Sequence, residues 1–130
     1  MANLKDRCAY FAAKNDAYAS PKGVYKTMET DPDSIVVVDV RNPVAPILSR
    51  ISGSIWIPEK EVEVRMCELP RDKPIVLYCW DVWCGLASQA AVPLLNAGYD
   101  VRELHGGVKA WQLLRQPMDK LTDSNGALNR

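Results

Sequence analysis

Two short apolar runs, Ile35–Val38 and Ile75–Tyr78, consist of β-forming residues without the alternation of a half-exposed strand. Runs of this kind read as strands covered on both faces. A third strand is expected over Tyr99–Leu104, and a brief one over Gly53–Pro58, stopped by its proline. Between them the apolar spacing changes to that of a helical face. Leu86, Ala90, Leu94 and Ala97 mark a helix opened by Gly85 and ended at Gly98. Pro93 falls inside it, which predicts a bend near Gln89–Pro93. Val62, Met66 and Leu69 mark a helix over Glu59–Glu68, and Val108, Trp111 and Leu114 mark another from Val108 to about Arg115.

Ahead of the first strand, Leu4, Cys8, Phe11 and Ala12 share one face of a helix capped by Asn3. Ser20-Pro21 reads as cap and first position of a second helix, with Val24, Tyr25 and Met28 as its buried side. Asp31–Ser34 is a turn, Asn42–Arg50 is weakly patterned, and Pro117–Arg130 reads as a polar, frayed tail. Strands alternating with helices predict an α/β fold with a mainly parallel central sheet flanked by helices on both faces. The expected organisation is an N-terminal helical extension (1–34) packed on a single domain (35–116), followed by the tail (117–130).

Composition narrows the chemistry. The chain has 130 residues, and 16 basic residues cancel 16 acidic ones, so no global charge favours nucleic acid or an anionic membrane. No apolar stretch reaches the roughly 20 residues of a membrane span, and the N-terminus lacks the apolar core of a signal peptide, so a cytoplasmic location is expected. The 4 cysteines (Cys8, Cys67, Cys79, Cys84) contain no Cys-x-x-Cys pair, and His105 is the single histidine. That pattern predicts free thiols, with neither a metal nor another cofactor.

One stretch concentrates the reactive groups. Cys79-Trp80-Asp81-Val82-Trp83-Cys84 joins the strand Ile75–Tyr78 to the helix opened by Gly85. In an open α/β sheet, ligands gather outside the carboxyl ends of the strands, where Cys79 and the Asp39–Arg41 segment both fall. A thiol placed there, facing free N–H groups at a helix start, is expected to have a lowered pKa and to react as thiolate.

Val38–Arg41, Ile51–Pro58 (ISGSIWIP), Ile75–Cys79 and Leu104–Trp111 (LHGGVKAW) occur in that order around the strand–cysteine–helix unit. Together they resemble the successive signatures of a rhodanese-like, sulfurtransferase domain, over about Ile35–Leu114. The resemblance implies that Cys79 takes sulfane sulfur from a donor as a persulfide and passes it to a thiol or other nucleophile. It makes the backbone of Trp80–Gly85 the cradle for that sulfur. Donor and acceptor would be small molecules or proteins. The oligomeric state is left open.

The loop also departs from the family pattern. It holds no lysine or arginine to bind an anionic donor such as thiosulfate, Cys84 occupies the usual loop-closing arginine position, and Arg50 replaces a usual histidine. Related arsenate reductases and phosphatases use a longer loop ending in arginine, and without that clamp their oxyanion chemistry is not expected here.

Individual roles follow. Cys84 is either a small apolar residue at the helix start or a resolving thiol for Cys79. Trp80 and Trp83 either pack inward or form an apolar rim, with at least one partly exposed. Asp39 and Arg41 are expected to hold each other or nearby backbone, and Arg50 is the best nearby candidate for an anion contact. His105 is expected to be exposed or satisfied by backbone, Trp111 to be core, and Cys8 and Cys67 to be core thiols. Two other functions compete with sulfur transfer: a non-catalytic interaction module using the Trp-rich loop, and a redox switch between Cys79 and Cys84.

Overall fold

In the computed structural model, which describes residues 3–121, the two apolar runs lie side by side in one sheet. The strands in chain order are β1 (Tyr18–Ala19), β2 (Val36–Asp39), β3 (Ser49–Ile51), β4 (Ile55–Trp56), β5 (Ile75–Tyr78), β6 (Val101–Leu104) and β7 (Met118–Lys120). The helices are α1 (Leu4–Ala17), α2 (Pro21–Thr30), α3 (Val62–Arg65), α4 (Leu86–Asn96) and α5 (Gly107–Leu113). Five strands form a parallel sheet in the order β1-β6-β5-β2-β4, and β3 pairs antiparallel with β7.

The alternation of side chains along each strand divides the core into two layers. Val38, Ile75, Leu77 and Cys79 share one apolar cluster with Val62 of α3 and Ala87, Ala90 and Leu94 of α4. Val37, Val76, Tyr78 and Leu104 share the other with Val24 of α2 and Val108 and Trp111 of α5. Helices therefore cover both faces, which is why the strands carry no polar side, as the runs suggest. Each fully buried aliphatic side chain contributes roughly 1.5–3 kcal/mol relative to leaving it in water.

Helix starts follow local chemistry. The Asn3 side chain accepts from the N–H groups of Lys5 at 3.0 Å and Asp6 at 3.3 Å. Ser20 Oγ accepts from Gly23 N–H at 2.9 Å, with Pro21 in the first turn of α2. Helix α4 runs through Pro93 to Asn96, burying Ala87, Ala90 and Leu94.

Some expectations need correction. Leu4, Cys8, Phe11 and Ala12 of α1 are all exposed, so the apolar face of that helix meets no core. The segment expected to be one helix over Glu59–Glu68 is a single α-turn, α3, between two 3₁₀ turns, Glu59–Glu61 and Met66–Glu68. The 3.6-residue phase is lost there. Cys67 consequently projects outward, and neither it nor Cys8 is a core thiol. Short strands β1, β3 and β7 lie between the two expected N-terminal helices, around the end of the weakly patterned segment, and in the tail. Of the tail, Met118–Lys120 is strand, whereas 122–130 lie outside the described residues.

Candidate active site

From β2 the chain steps outward to β4 on one side, then crosses back to β5 and steps outward to β6 on the other, where β1 forms the edge. Strand order thus reverses between β2 and β5, and the crevice at such a reversal is where α/β sheets place their ligands. Asp39 and Tyr78 are register partners at the ends of these two strands, and Val40 N–H donates to Tyr78 O at 3.0 Å. Asp39, Arg41 and Cys79 all emerge at this point.

Cys79 turns toward the α3–α4 cluster and is only 1% exposed. Its thiol donates to the Cys84 carbonyl at 3.4 Å. Burial and the neighbouring Cys84 side chain push the Cys79 pKa up to about 12, against the pull of N–H groups from Ala87 and Trp80. The cradle expected from the helix start is therefore present in part, but the resting sulfur is a protonated thiol. Dehydration and the neighbouring Cys84 thiol outweigh the two amides. This corrects the lowered pKa expected from position alone.

The loop is held from below by α5. Val108 N–H donates to Cys79 O at 2.9 Å and Lys109 N–H to Trp80 O at 3.0 Å, so the open end of α5 satisfies the first two loop carbonyls. Gly107, at φ +63°, makes this approach feasible. A Cβ there would lie 2.7 Å from Cys79 O and 2.9 Å from Asp81 N. Within the loop, Asp81 Oδ1 accepts from Trp83 N–H at 3.0 Å, and Asp81 O accepts from Cys84 N–H at 3.3 Å. These two contacts fold Asp81–Cys84 into a tight turn that brings Cys84 back over Cys79. Gly85 then caps α4 without a side-chain hydrogen bond.

Beside the loop lies a buried charge cluster. Asp39 accepts from Arg41 Nε and Nη2, the latter at 2.7 Å, and from Arg50 Nε at 3.0 Å. Arg41 Nη2 also donates to Ser49 O at 2.8 Å, and its guanidinium lies 4.6 Å from the Trp80 ring centroid. Arg41 thus ties the end of β2 to β3 and supports the first loop tryptophan, the holding role expected for it and Asp39. Two guanidinium groups share one carboxylate, which leaves the cluster formally one positive charge in excess. Arg50 faces the Trp56 ring at 5.0 Å, and its Nη2 is buried without a hydrogen-bond partner among the described residues.

The loop aromatics divide between the two roles open to them. Trp80 is half-buried over Arg41, whereas Trp83 is 87% exposed and Val82 is 65% exposed. His105 is exposed, its N–H donates to Ala19 O at 2.9 Å, and its ring meets Tyr18 edge-on. Trp111 is 1% exposed and its Nε1 donates to Pro117 O at 2.9 Å. Tyr78 is kept as a phenol by burial, and its hydroxyl accepts from Ile51 N–H at 3.1 Å. Sequence reasoning passes over Lys109 and Gln112. Both line a cavity of about 340 Å³ together with Arg41, Trp80 and Asp81. The signal was the Gly106-Gly107 start of α5, which sets these side chains facing the loop. Among the described residues no group of three or more His, Cys, Asp or Glu is placed to hold a metal ion, and no helix is long and apolar enough to cross a membrane.

The sequence and the fold also match known proteins. The family model for the rhodanese-like domain matches residues 20–114. The HTH-type transcriptional regulator Rv0324 of Mycobacterium tuberculosis is 31% identical over 112 residues, which cover 83% of this chain but 50% of the regulator. A sulfurtransferase of Allochromatium vinosum is 34% identical over 83 residues, covering 62% of this chain and 75% of that protein. Among solved structures, a full-length protein from Lactobacillus plantarum superposes with a TM-score of 0.85 at 29% identity, over 92% of this chain and 100% of the other. This chain therefore spans half the length of the regulator and the full length of the structural relative.

Proposed function

Because the chain belongs to the rhodanese-like domain family, we propose that it is a sulfurtransferase in which Cys79 carries sulfane sulfur as a persulfide. Similarity to sulfurtransferases supports the general class. The observation that carries the specific reading is the position of Cys79 Sγ, at the β2–β5 strand-order reversal and within reach of the Trp80 and Ala87 N–H groups. Once the thiol proton leaves and the contact with the Cys84 carbonyl breaks, those amides stabilise the thiolate. The thiolate attacks the sulfane sulfur of a donor, forming Cys79 S–S and expelling the donor's remaining fragment with its electron pair. An acceptor thiolate then takes the outer sulfur and returns Cys79 as thiolate.

The surroundings select the donor. The loop itself has no cation, and its exposed tip is Val82 and Trp83. That surface favours a donor carried on an apolar or protein scaffold over free thiosulfate. Incubation with thiosulfate, polysulfide or mercaptopyruvate, followed by mass spectrometry, tests the reading. The expected result is one added sulfur mass at Cys79, released by cyanide and absent from Cys79→Ser. No addition from any of these donors would overturn it.

The exposed Trp83 also favours a second reading, a docking module that binds an apolar peptide through the loop tip. Under that reading Trp83→Ala abolishes partner binding while Cys79→Ser leaves it intact.

A further inference from the structure

Four observations concern Cys84. The Cys79 thiol lies 3.4 Å from the Cys84 carbonyl oxygen. Cys84 packs against the same apolar cluster that contains Cys79. The Asp81–Cys84 turn holds it in place through the 3.3 Å bond from Cys84 N–H to Asp81 O. Finally, the two differ in access: Cys79 is buried and Cys84 is half-exposed. An external acceptor must enter the loop to reach sulfur on Cys79, whereas Cys84 is already inside it.

We propose that Cys84 is a resolving thiol that discharges the Cys79 persulfide as sulfide. This rests on the persulfide-carrier reading above. Cys84, as thiolate, attacks the Cys79 sulfur bonded to Cβ. A Cys79–Cys84 disulfide forms, the S–S bond to the outer sulfur breaks, and that sulfur departs with the electron pair as hydrosulfide. The two cysteine sulfurs are oxidised and the outer sulfur is reduced, so the step needs no further reactant. A low-molecular-weight thiol or a protein dithiol then reduces the disulfide, attacking first at the accessible Cys84 sulfur and leaving as its own disulfide. The net activity is thiol-dependent reduction of sulfane sulfur to sulfide, with transfer to an external acceptor as the branch that competes with it. Holding both thiols in one turn makes the internal attack effectively unimolecular, which is its advantage over an acceptor from solution.

The test uses the full chain with Cys8→Ser and Cys67→Ser, both exposed positions away from the loop, to prevent stray disulfides. Protein carrying both loop cysteines, Cys84→Ser and Cys84→Ala are each given one equivalent of polysulfide without oxygen or external thiol. Sulfide and intact mass are followed over time. The protein with both cysteines is expected to release its sulfur as sulfide and to end two hydrogen masses below the dithiol, with residues 79 and 84 linked in the digest. Both Cys84 variants are expected to keep the added sulfur on Cys79 at least about tenfold longer, as loss of an intramolecular nucleophile requires. Equal lifetimes in all three, with both loop thiols free at the end, would overturn the resolving role and leave the carrier intact. No added sulfur in the two Cys84 variants, together with no sulfide from the parent, would overturn the carrier and this proposal with it.

Discussion

At the scale of single residues, Cys79 illustrates how position and environment divide the work. A strand end facing a helix start is legible in the sequence because the apolar run, the cysteine and the glycine-opened helix are contiguous. The return of the Cys84 thiol to the side of Cys79 is not, since it depends on the turn closed between Asp81 and Cys84. That neighbour, added to burial, places the Cys79 thiol near 12 instead of below its ordinary range. A thiol whose folded pKa is raised contributes stability that is complete below its unfolded value, near 9, and is lost as pH climbs through the range up to about 12. Iodoacetamide labelling of Cys79 is therefore expected to be slow at neutral pH and to keep accelerating above about pH 9, where an ordinary thiol has levelled off. In parallel, Cys79→Ser is expected to lose less stability than the parent between pH 9 and the upper limit of folding. A labelling plateau below pH 9 would mean that Cys79 is not buried beside the Cys84 thiol in solution. Cys8 and Cys67 teach the complementary lesson. Each sits in an apolar pattern, but a pattern identifies a face only where a helix has a neighbour to bury it against and keeps its phase.

At the scale of elements, the long apolar strands and α4 are readable because each carries several residues of consistent pattern. Strands of two or three residues, β1, β3 and β7, hold less than two full alternations, and partners far along the chain define them. Asp119 opposes Arg50 across such a pair, a relation invisible to any local window. The contact between α5 and the active loop is an intermediate case. The Gly106-Gly107 pair announces a close approach, but only the structure identifies what approaches: the carbonyl of Cys79 itself. Gly107→Ala is expected to cost about 1–3 kcal/mol through its left-handed backbone. It should also push the loop off α5, lowering the rate of sulfur loading at Cys79 at least about tenfold, as displaced reacting groups do. Gly53→Ala is the matching control. Its backbone is also left-handed, at φ +84°, but the added Cβ meets only the flexible end of Met28 at 3.1 Å. It should lose comparable stability while keeping the loading rate. Equal loading by both variants would show that α5 does not position the loop.

At the scale of the whole molecule, the boundary of the cooperative unit does not coincide with the boundary of the N-terminal helix. None of the residues of α1 is buried, and Leu4, Tyr10 and Phe11 are respectively 73%, 60% and 50% exposed. The rhodanese-like match starts at residue 20, after α1 has ended. Yet the chain between them is part of the sheet. Tyr18 and Ala19 pair with Glu103 and Leu104 as β1, and His105 N–H donates to Ala19 O at 2.9 Å. The link from α1 to β6 is an exposed ion pair, Asp16 with Arg102 at 3.8 Å, of a kind worth about 0–1 kcal/mol. Removing residues up to 16 is therefore expected to change unfolding stability by no more than about 1 kcal/mol, because little apolar surface is re-exposed. Removing residues up to 19 takes the edge strand as well. It uncovers β6 and should cost at least about 2 kcal/mol, from lost ladder bonds at roughly 1 kcal/mol each and the apolar surface beneath them. Denaturant midpoints of the two truncations, compared with the full chain, separate these cases. A large loss already in the shorter truncation would mean that α1 carries folding energy through contacts its exposure does not reveal. The active loop follows the carboxyl end of β5, at the same end of the parallel sheet as Ala19 but separated from β1 by β6. Its sulfur loading should follow overall stability in both truncations, with no separate effect on the site.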